Sequence, residues 1–154
     1  MSSSTNSQAQ EVFEDFLMRM DDQIEALQAD ALRRRIDLDF RVDRLDRLEA
    51  YFDAVSQELQ DRDARESFLV SCARYLGEVV RLRYGGKWVL PLDDKRNANY
   101  NTPVVVGHAP NGVEFAPISV MRAYALRRVR GTLARAVEGQ TAFKGPDLDD
   151  LIEG

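Results

Sequence analysis

Few residues in this chain have the type and setting to do chemistry. Glu78 sits on the edge of one apolar stripe, and Arg122 sits in the middle of another. A carboxylate and a guanidinium carried on two apolar faces need partners once covered, because an unpaired buried charge is costly. The pattern predicts a structural ion pair between Glu78 and Arg122. Opened to a cavity, the same pair is where an enzyme of this sequence would work. The other reactive groups stand alone. Cys72 lies on an apolar stripe and reads as a small core side chain. His108 stands in a turn with no nucleophile motif beside it, and Asp93-Asp94 stand in a polar loop. One cysteine and one histidine exclude an intrachain disulfide framework, cysteine-ligated zinc and any two-histidine site. Phosphate loops, dinucleotide glycine fingerprints and calcium loops are missing as well. The expectation is no metal, no cofactor and no catalytic residue, with the balance against an enzyme.

Binding chemistry is better represented. Arg127, Arg128, Arg130 and Arg135 follow one another closely, and Tyr100 stands in an asparagine-rich loop before them. The charge along the chain is uneven. Residues 1–66 carry nine basic and seventeen acidic side chains, residues 67–139 eleven and five, and residues 140–154 one and four. The net −5 is therefore an acidic first part, a basic second part and an acidic tail. Such a split means either that the parts answer one another or that a basic face awaits an acidic partner. In the tail, Leu148, Leu151 and Ile152 fall at i, i+3 and i+4 with acids between them, the pattern of a short helix anchored in a partner's groove; folding back over its own domain and a disordered end are the alternatives.

The elements that must position these groups follow from periodicity. Residues 1–8, mostly Ser, Thr, Asn and Gln, are expected to be disordered. From Gln10, apolar residues from Val12 to Ala31 recur at three and four positions and predict one long amphipathic helix ending at Arg33-Arg34-Arg35. Residues 36–42 alternate and read as an extended piece. A second helix is expected over 44–60 and a third over about 65–84, the latter with the broadest apolar face and so at the centre of the core. Gly77 inside that helix costs about 1 kcal/mol against alanine, which makes sense if another element approaches closely there. Gly85-Gly86 ends it. Strands are expected over 87–91, 104–107 and 112–116, the last two joined by a Pro-Asn-Gly turn, and a fourth helix over about 118–138 begins at Pro117. Its stripe includes Ile118, Met121, Leu126, Val129, Leu133 and Val137. The predicted fold class is α+β, about four helices packed on a small three-stranded antiparallel sheet. A single domain is expected over 9–139, followed by an acidic tail over 140–154.

Three stretches carry a resemblance. They are Leu38-Asp-Phe40 with Leu45-Asp-Arg-Leu-Glu-Ala-Tyr-Phe52, then Ala73-Arg-Tyr-Leu-Gly-Glu-Val79, then Gly85-Gly-Lys-Trp88. In this order they resemble a family of bacterial domains of unknown function with Tyr-x-Gly-Glu and Gly-Gly-x-Trp motifs, over roughly residues 36–138. The chain departs from that pattern at Arg41-Val42-Asp43, where small polar residues are expected. The resemblance implies a compact α+β domain and a bacterial source; the family has no settled activity, so it implies no catalytic residues.

The reading that follows is a non-enzymatic bacterial protein-binding module, an adaptor, regulator or immunity-type protein. It would act through Arg127, Arg128, Arg130 and Arg135 with Tyr100, through the tail residues Leu148, Leu151 and Ile152, or through both. Two alternatives stand beside it. One is single-stranded nucleic-acid binding by the arginine face and its aromatics, disfavoured by a pI near 5. The other is an enzyme with a site near Glu78 and Arg122. A polar start without a basic and apolar leader, and the lack of a bilayer-spanning apolar run, give the expectation of a cytoplasmic protein. The first helix offers a face for pairing with a second copy.

Overall fold

A computed structural model describes residues 2–110 and 112–141. Six helices and one short two-stranded sheet appear in the order α1 (Ser2–Met18), α2 (Met20–Arg33), α3 (Leu45–Ser56), α4 (Arg62–Tyr84), β1 (Lys87–Val89), β2 (Val104–Val106), α5 (Pro117–Arg127) and α6 (Thr132–Thr141). The fold is predominantly helical, which corrects the expectation of about four helices on a three-stranded sheet.

Two of the predicted helices are each divided in two, for identifiable reasons. The long first helix begins at Ser2 rather than Gln10 and breaks at Arg19. Arg74, buried on α4, donates its Nε–H to the Phe16 carbonyl at 3.3 Å, and its guanidinium lies 4.5 Å from the Phe16 ring centroid. A side chain that takes a carbonyl from the helical ladder interrupts the ladder at that point. The predicted fourth helix ends at Arg127. Arg128 takes a left-handed conformation (φ 54°, ψ 38°), and the chain restarts as α6 after Gly131. Glu49, on α3 and only 1% exposed, explains the restart. Its carboxylate accepts from the Gly131 N–H at 3.0 and 3.2 Å and from the Leu133 N–H at 3.0 Å. The first N–H groups of a helix lack partners within it, and a carboxylate from a neighbouring helix satisfies them here.

The sheet pairs Lys87, Trp88 and Val89 with Val106, Val105 and Val104, antiparallel. The expected third strand is reduced to one bridge, in which Val105 and Phe115 exchange both backbone hydrogen bonds at 2.9 Å. Pro117 stops any extension by starting α5. Residues 36–41 pair with no strand. The segment is held instead by side chains, with the Phe40 N–H donating to the Tyr75 hydroxyl at 2.7 Å and Gln28 donating to the Leu38 carbonyl at 2.7 Å. Next comes a 3-10 turn at Val42–Arg44.

The central place of the third predicted helix, now α4, is as expected. Leu69, Cys72, Ala73, Tyr75, Leu76, Val79 and Val80 are buried, and the helix packs against α2, α3, α5 and β2. Asp61 caps its start by accepting from the Ala64 N–H at 2.9 Å. Gly85, at φ 88°, ends it where a side chain would be strained. One cluster of buried apolar side chains runs from Phe13 on α1 to Val137 on α6.

Candidate functional site

Glu78 and Arg122 do not pair; each is committed to another partner. Both Glu78 oxygens accept from Arg81, at 2.8 and 2.9 Å, and the carboxylate also accepts from the Trp88 indole N–H at 2.7 Å. Burial pushes the Glu78 carboxyl up, but Arg81 and Trp88 outweigh it and hold the group below the usual glutamate range. Arg122 instead makes two bonds to Glu66, at 2.9 and 2.6 Å, and the pair holds the Glu66 carboxyl low. Glu66 lies on α4 twelve residues before Glu78, about 18 Å along the axis at 1.5 Å per residue. Arg122 therefore faces the start of α4, whereas Glu78 sits near its end, and its side chain is 55% exposed rather than set in the core stripe.

The Gly77-Glu78 pair does position Trp88. A Cβ on Gly77 would collide with the Trp88 ring, so glycine lets the indole lie flat on α4 while Glu78 receives its N–H. The Tyr-Leu-Gly-Glu and Gly-Gly-Lys-Trp motifs are thus two halves of one clasp between α4 and β1. Tyr75, the first residue of that motif, anchors Phe40 through its hydroxyl.

Around α5 the structure assembles a more open site. A groove of about 630 Å³ lies between α3, the start of α4 and α5. Phe52, Leu69 and Ala125 form its apolar floor, and Arg62, Arg65, Arg122 and Arg128 stand around it against two acids, Asp63 and Glu66. Arg128 is locked in place. It donates to Asp53 at 2.8 Å and to the Ala125 carbonyl at 3.0 Å, and stacks 5.1 Å from the Phe52 ring centroid. Tyr124 donates to the same Asp53 at 2.8 Å. Arg128 is therefore partly a tertiary anchor, while Arg127, Arg130 and Arg135 are exposed.

Two apolar side chains beside the break between α5 and α6 are exposed. Leu126 and Val129, expected on the buried stripe, are 82% and 50% exposed. Leu126 lies on α5, about 200° around the helix from buried Tyr124, and Val129 follows the left-handed residue at 128, between the two helices. They stand in sequence among Arg127, Arg128 and Arg130 and form a basic, apolar turn.

No family model, curated protein or solved structure matches the chain.

Tyr100 lies half-buried in the loop between the strands, which is tied down by one carboxylate. Glu114 accepts from the side-chain amides of Asn97, at 3.1 and 3.2 Å, and Asn99, at 2.9 Å. Arg135 shares a cavity of about 440 Å³ with Asn99 and Glu114 on this side. The predicted arginine face is thus divided: Arg128 lines the groove, Arg127 and Arg130 flank the turn, and Arg135 belongs with the loop. Leu148, Leu151 and Ile152 lie outside the described residues. Among the described residues no three His, Cys, Asp or Glu side chains gather as a metal site requires. Nor is any helix among them long and apolar enough to cross a membrane.

Proposed function

We propose that the protein is a non-catalytic binding module that docks an acidic partner protein on the turn between α5 and α6. The observation that carries this reading is the exposure of Leu126 and Val129 among Arg127, Arg128 and Arg130. Exposed apolar side chains set among arginines combine the two ingredients enriched at protein interfaces. An apolar pair supplies affinity once covered, and the cations select an acidic surface and speed its approach. Glu78 does not compete as a catalytic group, since its carboxylate is engaged by Arg81 and Trp88. Trp88 is similarly committed to Glu78, which removes one aromatic from the nucleic-acid reading. We place the protein in the cytoplasm of a bacterium, as an adaptor, regulator or immunity-type protein.

Affinity capture from the native cell tests this reading, with the unaltered chain and a Leu126→Asp/Val129→Asp chain as parallel baits. The expected result is an acidic polypeptide retained by the first bait, released by added salt and absent from the second. Retention of the same polypeptides by both baits overturns the assignment to this turn. Recovery of nucleic acid instead of protein overturns the partner class.

A further inference from the structure

We propose that the chain's own acidic segment, Asp147 to Glu153, docks in the groove between α3, α4 and α5. The proposal rests on the reading above for the binding character of the arginine surface, but it requires no particular partner.

Three observations support it. The first is charge. Arg122 is paired with Glu66 and Arg128 with Asp53, which leaves Arg62 and Arg65 against Asp63 and a surplus of one positive charge at the groove. The segment Asp147-Leu-Asp-Asp-Leu-Ile-Glu153 offers four carboxylates within seven residues and no cation. Arginine and carboxylate make charge-assisted, often bidentate hydrogen bonds, stronger than those between neutral groups. The second is shape and polarity. Phe52, Leu69 and Ala125 give the groove an apolar floor, and Leu148, Leu151 and Ile152 fall at spacings that put three apolar side chains on one helical face. A ligand bearing charge alone would leave that floor uncovered.

The third is reach. Arg128 stands at the end of the groove four residues before the start of α6. The ten residues of α6 carry the chain about 15 Å away. Residues 142–147, fully extended, span at most about 20 Å, which is enough to bring Asp147 back to the level of Arg128. The tether keeps the segment at millimolar effective concentration beside the groove, so a weak contact suffices to fill it.

Disulfide trapping in the full chain tests the inference. Ser56, at the end of α3, lines the groove, and the native Cys72 is buried and does not interfere. In a Ser56→Cys/Leu151→Cys chain exposed to oxidised glutathione, an intramolecular disulfide should close about tenfold faster than in a Val12→Cys/Leu151→Cys control, whose first cysteine is on α1. Adding Asp147→Asn, Asp149→Asn and Asp150→Asn should slow closure severalfold. Equal rates for the two cysteine pairs, or disulfides only between molecules, overturn the proposal. A second measurement needs no cysteine. Phenylglyoxal labelling of Arg62 and Arg65, read by mass spectrometry, should be slower in the natural chain than in the chain carrying the three asparagines; equal labelling also overturns it. Trapping with no acidic partner captured would defeat the partner reading alone. Capture with no trapping would defeat the present inference alone.

Discussion

Trp88 donates its indole N–H to Glu78 at 2.7 Å, and its ring occupies the space a side chain at Gly77 would need. Neighbouring residues of α4 thus serve one tryptophan in two ways, one by lacking a side chain and the other by accepting a hydrogen bond. This contact joins β1 to α4, while β2 packs on the same helix through its buried valines.

Gly77→Ala should destabilise the protein even though alanine is the better helix former. Propensity favours the substitution by about 1 kcal/mol. Against it stands a collision with the rigid Trp88 ring, and overpacking of this kind costs about 1–3 kcal/mol. A net loss in urea-unfolding free energy is expected, with a change in Trp88 fluorescence, the chain having one tryptophan. A gain in stability would show that the ring moves aside freely.

The same clasp is sensitive to acid. The Glu78 carboxyl is held below the ordinary glutamate value of 4.5, so the folded state favours its charged form. A group depressed on folding contributes stability above its unfolded pKa, and that contribution is lost as pH falls through the folded value. Glu78→Gln should therefore cost about 1 kcal/mol at neutral pH, after allowance for solvent around Arg81. The gap from the natural protein should close as pH falls below 4.5. Urea unfolding at pH 7 and at two acid values checks this; a gap independent of pH would remove Glu78 from the acid response.

Glu49 makes the sharper case for a buried charge. It accepts three bonds from two backbone N–H groups at the start of α6 and is 1% exposed. Glu49→Gln keeps the size but turns an amide N–H₂ toward these donors. Leaving them poorly satisfied should cost about 2 kcal/mol or more. Amide exchange at Gly131 and Leu133 should accelerate beyond the change in global stability. Unchanged exchange there would mean that the turn holds itself.

Much of this architecture was legible from periodicity, but the decisive side chains were not. The stripe of α4 runs as its sequence reads, because one helix is surrounded on several sides and its apolar face is broad. Gly77 was legible too, as a glycine that needs a neighbour, although nothing local says that the neighbour is Trp88. The breaks at Arg19 and Arg128 were invisible because each involves a distant residue. Arg74 is 58 positions from Phe16 and Glu49 is 82 from Gly131. Periodicity runs straight through both breaks, and so Val129 reads as core; Leu126 precedes the second break and is exposed because it lies about 200° around α5 from buried Tyr124. Arg122 misled for a related reason: apolar neighbours in sequence placed it on a stripe, while the groove beside α4 offered it Glu66. Arg62 falls between the helices expected over 44–60 and 65–84 and Arg65 at the start of the latter, and no local signal shows that the start of α4 faces α5.

Cys72 should be inert in the native protein. It is fully buried, and burial pushes its thiol well above the usual range, so little thiolate forms. Labelling by an aromatic disulfide should be slow without denaturant and should rise with urea in step with global unfolding. Rapid labelling in the native state would reveal an opening motion around α4.

The exposed pair at the α5–α6 turn should behave unlike its buried neighbour in sequence. Leu126 and Val129 are 82% and 50% exposed, whereas Leu133, four residues further on, is fully buried. Exposed apolar side chains contribute little to folding, so Leu126→Asp/Val129→Asp should change unfolding free energy by no more than about 0.5 kcal/mol. Leu133→Ala, which empties space in the core beside the Glu49 cap, should cost about 2–5 kcal/mol. Parallel urea titrations of the two variants decide the matter. If the aspartates destabilise the protein as strongly as the core truncation does, the turn is held by its own apolar contacts. The pair would then be serving the fold, and the docking surface would have to be sought in the arginines without them.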